Sequence, residues 1–225
     1  MPRIFYYCHT GHRIGLDRFH RAAAIINALP ELDITLLTSD YRIAQQAHKF
    51  GIKRTVGIDV IRNIPQIADP NDILIFDSDE GSPSMITEMC RFASTFIRIT
   101  DNPEAELISD EYMINPYLKE ARVCNAVAIG ADYFNQEEKT RENSFFFGDD
   151  DYEEDLLKHI ETLDSKSLDL LIGFYFFIDY EDKLKEHFKN TIEVDEYPDE
   201  YFEVIKESNY GEKVEVEHLL EKSGT

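Results

Sequence analysis

Eight residues able to bind charge or move protons crowd one short stretch near the start of the chain: His9, Thr10, His12, Arg13, Asp17, Arg18, His20 and Arg21. Arginine offers planar donors that match phosphate or carboxylate, and histidine exchanges a proton near neutral pH. Backbone N–H groups at a helix start add their own attraction for anions. Together these types predict an anionic ligand held by arginines such as Arg13 and Arg18, with a histidine of the loop able to move a proton. Gly11 and Gly15 relax steric limits in the same loop, so that backbone can approach a ligand closely. The competing reading has the arginines solvating a helix and one histidine packing into the core.

A second constellation follows the apolar run NDILIF. There Asp77, Ser78, Asp79 and Glu80 form a D-x-D turn whose hard oxygens would suit magnesium or manganese. The plainer reading makes Asp77 a polar residue at a strand end, facing a ligand cleft. No resident metal or cofactor is expected. The chain holds no G-x-S-x-G elbow, H-E-x-x-H pair, Walker loop or C-x-x-C pair. Phe174 to Phe177 reads as the core of a strand and not as a base-stacking surface, because lysine and arginine do not flank it.

The elements that must position these groups alternate regularly. Residues 4–8 form the short apolar run of a strand covered on both faces. Asp17 can cap the following helix, in which Phe19, Ala22, Ala23, Ile26 and Leu29 recur at helical spacing. Strands are expected at 32–38, 54–58, 72–76, 96–99 and 126–129. Helices are expected at 41–50, where Gly51 ends the segment, and at 85–92; residues 60–67 form a short crossover and 103–122 are less regular. Strands and helices alternating at this spacing predict a parallel sheet, with ligands above the carboxyl ends of its strands. A polar stretch at 135–143 reads as a linker. Beyond it the pattern restarts, with strands at 145–147, 168–177 and 191–194 and helices at 152–163, 181–189 and 198–207. The expected organisation is an N-terminal domain over 1–134 and a smaller, partial one over 144–225.

Composition narrows the function classes. The net charge is −22, and residues 148–225 carry 8 basic against 24 acidic side chains, whereas residues 1–147 carry 15 against 21. Such a field repels nucleic acid and anionic lipid, since affinity for either comes from Lys and Arg. An acidic face of this kind would suit a basic protein partner. No apolar stretch reaches the roughly 20 residues needed to span a bilayer, and MPRIFYY lacks a leader pattern, so a cytoplasmic protein is expected. Cys8, Cys90 and Cys124 are odd in number and widely spaced, which predicts core thiols and no disulfide framework.

The segments RIFYYCHTGHRIGLDRFHRAAAIINAL, LDITLLTSD and NDILIFDS, with IGADYF and SFFFGDDDYEEDLLKHIETL further on, resemble GT-B-type glycosyltransferase-like proteins. Within that group the likeness is to the UDP-sugar hydrolase of pseudaminic acid synthesis, to predicted glycosyltransferases related to it, and to the peptidoglycan N-acetylglucosaminyltransferase. The resemblance implies an α/β fold of two Rossmann-like units (GT-B-like), the second small and incomplete. It also implies a bacterial protein that holds a nucleotide-sugar, UDP-linked in the relatives, and transfers or hydrolyses the sugar at its anomeric carbon during surface or flagellar glycan synthesis. Gly148 would then lie at a phosphate turn, and Gly11, His12, Arg13, Gly15, Arg18 and Asp77 around the acceptor.

Asp17 and Arg18 stand where the hydrolase-like members carry a glycine and then a catalytic histidine, so His12 or His20 would have to take that role here, His20 lying a turn down the helix and His12 being the residue expected to serve. Asp149 to Asp151 replace a Gly-Gly-Ser-Asp type of sequence, and YGEKVEVEHLLEKSGT replaces the donor-gripping strand, loop and helix. These departures define a second expectation, a non-catalytic GT-B-like binding or assembly protein. A third is a GT-A-like metal-dependent glycosyltransferase using Asp77 and Asp79.

Overall fold

The computed structural model describes residues 2–10, 14, 16–131, 134, 143–146, 154–160, 165–173 and 180–194. They fall into two compact units, one holding residues 2–10 and 17–130, the other made mainly of the described residues beyond 130. In the first unit the chain runs β1 (Ile4–Cys8), α1 (Asp17–Ala28), β2 (Ile34–Thr38), α2 (Tyr41–Gln46), β3 (Thr55–Gly57), α3 (Ile64–Ile67), β4 (Ile73–Asp77), α4 (Pro83–Phe92), β5 (Thr95–Ile99), β6 (Tyr112–Ile114) and β7 (Val123–Cys124). The seven strands form one sheet in the order β3-β2-β1-β4-β5-β6-β7, and every pairing is parallel. This is a Rossmann-like α/β sheet.

The sheet follows from its side chains. β1 reads IFYYC, and Phe5, Tyr6, Tyr7 and Cys8 are all buried, as a parallel strand sandwiched between helices requires. Alternation sends Phe5 and Tyr7 to one face, where they join Leu74, Phe76, Phe96 and Ile86 and Met89 of α4 in one core cluster. Tyr7 stacks on Phe76 with ring centroids 5.4 Å apart. On α1, Phe19, Ala22, Ala23 and Ile26 are buried, and Phe19 meets Phe50 edge-on at 4.6 Å. After α2 a short 3-10 helix (Ala47–Phe50) ends at Gly51, whose φ of 78° is the left-handed cap that glycine adopts without strain.

Two expectations change. The run 126–129 is not a strand; Ala126 is exposed, the next three residues are only half-buried, and among the described residues no strand pairs with them. The outer strands are instead β6 and β7, inside the stretch expected to be less regular. Only Met113 of β6 is buried and β7 is two residues long, so short outer strands among Asp, Glu and Asn show little apolar pattern. The thiols also divide: Cys8 is buried in the core, Cys90 is half-buried and packs against the core cluster, and Cys124 is exposed. Cys124 lies on β7, which among the described residues pairs with a strand on one side only.

The second unit contains β8 (Asn143–Phe146), α5 (Asp155–Ile160), β9 (Leu168–Gly173), α6 (Glu181–His187) and β10 (Asn190–Val194). Its three strands pair in parallel in the order β10-β9-β8, separately from the first sheet. Ile160, Leu170, Tyr180, Leu184 and Phe188 form its core. The segments 147–153, 174–179 and 195–225, with the turn at Gly148, the FYFF run and the helix expected at 198–207, lie outside the described residues. Among the described residues no helix is long and apolar enough to cross a membrane.

Candidate functional site

In the first sheet β1 pairs with β2 on one side and with β4 on the other, so the strand order reverses between β1 and β4. Chain leaving neighbouring strands in opposite directions opens a crevice at their carboxyl ends, the place where open parallel sheets bind ligands. Here those ends carry His9 and Thr10 after β1, Ser39 and Asp40 after β2, Ser78, Asp79 and Glu80 after β4, and Thr100 and Asp101 after β5.

Asp77, the last residue of β4, sits opposite Cys8 in the ladder and is fully buried. Arg21 of α1 grips both of its oxygens, Nη2 to Oδ1 at 2.6 Å and Nε to Oδ2 at 2.9 Å, and the Tyr6 hydroxyl donates to Oδ2 at 2.8 Å. Burial works against the Arg21 charge, but Asp77 outweighs it and raises the guanidinium pKa further. Burial pushes the Tyr6 and Cys8 pKa values well up, so both remain protonated. This buried ion pair staples α1 to the centre of the sheet. Arg18, one helical turn before Arg21, donates from Nη2 to the exposed Asp79, and its Nε lies 3.7 Å from Asp77 Oδ1. The Arg18 side chain is only 16% exposed, which corrects the expectation of arginines simply solvating the helix.

Beside this cluster His9 meets Glu80. The His9 backbone N–H donates to the Asp77 carbonyl at 3.1 Å and carries the parallel ladder one step past β1. Its Nδ1 lies 3.5 Å from Glu80 Oε2, long for a hydrogen bond but close enough for the carboxylate to orient the ring. Glu80 Oε2 also accepts from the Tyr7 hydroxyl and from Ser78 Oγ, the latter at 3.1 Å. Burial depresses the His9 pKa below the ordinary imidazole value, more than Glu80 restores it. His9 is therefore a neutral, oriented, partly exposed imidazole at pH 7, the state required of a general base. Thr10 ties the neighbouring loop down: its N–H donates to Ser39 Oγ at 3.1 Å, Ser39 Oγ donates to the Thr10 carbonyl at 2.7 Å, and its hydroxyl meets Thr38 Oγ1 at 2.9 Å.

Of the residues expected from sequence, Arg18 and Asp77 come together at the switch point with Asp79. Gly11, His12, Arg13, Gly15 and Gly148 lie outside the described residues. Two features were not expected. One is the buried Arg21–Asp77 pair and the other is the His9–Glu80 pair. Each had a signal in β1, because consecutive tyrosines in a strand buried on both faces need buried acceptors for their hydroxyls. Asp77 and Glu80 are those acceptors. His20, also in the charged stretch, is buried against Phe19 and Phe50, and burial lowers its pKa to about 4.

Among the described residues no group of three or more His, Cys, Asp or Glu side chains could hold a metal ion. In the D-x-D turn, Asp77 spends its oxygens on Arg21 and Tyr6, while Asp79 is turned toward Arg18. No protein-family model matches the chain, and no curated protein matches it.

Proposed function

We propose that this protein is a GT-B-like glycosyltransferase-like protein that handles a nucleotide-sugar at the β1–β4 switch point, by glycosyl transfer or hydrolysis, in bacterial surface or flagellar glycan synthesis. The observation that supports it best is the sheet order, whose crevice carries an oriented neutral imidazole, His9, beside an arginine, Arg18. Three of the segments that resemble the GT-B-type family, residues 3–29, 32–40 and 71–78, run through β1, α1, β2 and β4, the elements around this crevice. In this reading Arg18 contributes positive charge toward a ligand phosphate, while Asp77 acts through Arg21 as a positioning residue.

His9 accepts the proton of an acceptor hydroxyl or of water. The resulting oxygen forms its bond to the anomeric carbon, and the nucleoside diphosphate leaves with the electrons of the broken C–O bond. His12 is the second candidate for this proton transfer. The domains of the proposal are residues 1–134 and 144–225, paired as the two Rossmann-like units of a GT-B fold.

A non-catalytic binding role is the second reading. Arg18 already has Asp79 as a partner, so a phosphate must displace that carboxylate before it gains the guanidinium. The metal-dependent GT-A-like reading has less support, because arginines occupy both carboxylates it would use.

The test is the pH profile of UDP-sugar hydrolysis or transfer. The enzyme reading expects a rate that falls on an acid limb below about pH 6.5, because His9 protonates below its ordinary value. His9→Gln should abolish the limb together with the rate. Binding without turnover would support the second reading.

A further inference from the structure

β3 ends the seven-stranded sheet on one side, and among the described residues it pairs with β2 alone. The register shows which of its backbone groups stay open. Leu36 N–H donates to the Arg54 carbonyl and Ile58 N–H to the Thr38 carbonyl, both at 2.9 Å. Residues 54, 56 and 58 therefore bond toward β2, and the N–H and C=O groups of Thr55 and Gly57 point away from the sheet. Such a row is a template for another strand. Three of the six large apolar side chains exposed among the described residues, Tyr41, Val56 and Val60, lie on or beside it. Tyr41 is fixed in that position: its hydroxyl donates to Asp59 Oδ1 at 2.7 Å, and its ring covers Gly57, where a Cβ would fall 2.6 Å from Tyr41 Cδ1. An aromatic ring held exposed at an open edge has the character of a binding anchor.

The charge around this edge opposes that of the chain. Residues 41–62 hold five basic side chains, Arg42, Lys49, Lys53, Arg54 and Arg62, against one acid, Asp59, whereas the whole chain holds 23 against 45. Some of this charge is already matched, because Arg42 pairs with Asp40 at 2.9 Å and Arg54 with Asp33 at 2.7 Å. Lys49, Lys53 and Arg62 are exposed, and no acid among the described residues pairs with them. Charged side chains commonly guard an open edge by repulsion, and a guard of one sign repels only partners of that sign. We propose that the β3 edge docks an extended, acidic segment of a partner protein as an added strand. The open backbone groups supply the hydrogen bonds, Tyr41 and Val56 the apolar contact, and Lys49, Lys53 and Arg62 the choice of an acidic segment. The net charge of −22 opposes an acidic partner at long range, so the attraction acts only within a Debye length of the edge, about 8 Å at physiological salt.

Fluorescence anisotropy of the full chain with labelled peptides of about six residues, the usual strand length, tests this. A peptide of alternating glutamate and valine should bind, its lysine–valine counterpart should not, and half-molar salt should weaken the complex by about tenfold. The double variant Lys53→Glu, Arg62→Glu, at two exposed positions, should weaken it at least as much. Thr55→Pro removes an outward N–H without touching the ladder to β2 and should also weaken binding. Thr55→Val, which loses only the hydroxyl bond to the Ala44 carbonyl, should bind as the wild type does. A circular dichroism spectrum matching the wild type confirms that each variant is folded. Failure of the glutamate peptide to bind, equal binding of the lysine peptide, or binding unchanged by the charge reversal overturns the proposal. Oligothymidylate bound in place of the peptide would make the edge a nucleic-acid surface and overturn it too. Self-association in sedimentation velocity that the charge reversal abolishes would make the occupant a second copy, with the same consequence.

Discussion

Arg21 and Arg18 sit one turn apart on α1, yet the structure gives them opposite duties. Arg21 neutralises a carboxylate that has no access to water, so removing it strands Asp77 and a tyrosine hydroxyl. Arg21→Met should cost about 3–5 kcal/mol in urea unfolding, the scale for breaking a buried ion pair from one side. Arg18 bonds to the exposed Asp79 and only approaches Asp77, at 3.7 Å, so Arg18→Ala should cost clearly less than Arg21→Met. Comparable losses from the two variants would remove the distinction between the structural and the ligand-facing arginine.

His20 makes a separate prediction. Its pKa is near 6.5 when unfolded and about 4 when folded, so between those values the unfolded chain binds the extra proton and stability falls as the pH drops. The whole window amounts to about 3 kcal/mol. His20→Phe should flatten this slope in pH-dependent unfolding, and an unchanged slope would assign it to other groups.

At the scale of elements, β1 is fixed at one end by its own sequence. Asp72, just before β4, accepts from the Arg3 N–H at 2.9 Å, from Arg3 Nε at 3.1 Å and Nη2 at 2.7 Å, and from the Asp69 N–H at 2.8 Å. Burial pushes the Asp72 pKa up, but the hydrogen bonds from Arg3 and Asp69 outweigh it and hold the carboxyl below its usual value. Its contribution is therefore complete above about pH 4 and is lost only as the pH falls through that lowered value. Asp72→Ala should destabilise the first unit by about 2 kcal/mol or more, read by urea unfolding at neutral pH. An effect within experimental error would mean that the latch does not register the two strands.

Strands β1, β2 and β4 were legible because each is a short apolar run between polar breaks, and α1 because its buried residues recur at helical spacing. β6 and β7 were not, since such short outer strands bury too few side chains to leave a pattern. In the site, residue types were legible and partners were not. The charged stretch announced chemistry, but only the parallel register of β1 against β4 brings Asp77 within reach of Arg21 and Glu80 within reach of His9. Sequence periodicity marks which face of α1 is apolar and cannot reveal that Arg21, beside that face, finds a buried carboxylate 56 residues away.

At the scale of the whole molecule, a chain with a net charge of −22 must take an anionic ligand against its own field. Binding of a nucleotide-sugar then depends on local positive charge, and in the described part of the crevice the arginine nearest solvent is Arg18. The affinity should fall with rising salt less steeply than for a basic protein, because general attraction contributes nothing. The most direct measurement is calorimetric titration of a UDP-sugar into the wild-type chain and into Arg18→Ala at one ionic strength. The account predicts binding to the wild type and a loss of about 1.5–3 kcal/mol, roughly ten- to a hundredfold, in the variant. No binding to either chain, or equal binding to both, would contradict a nucleotide-sugar site at the β1–β4 switch point.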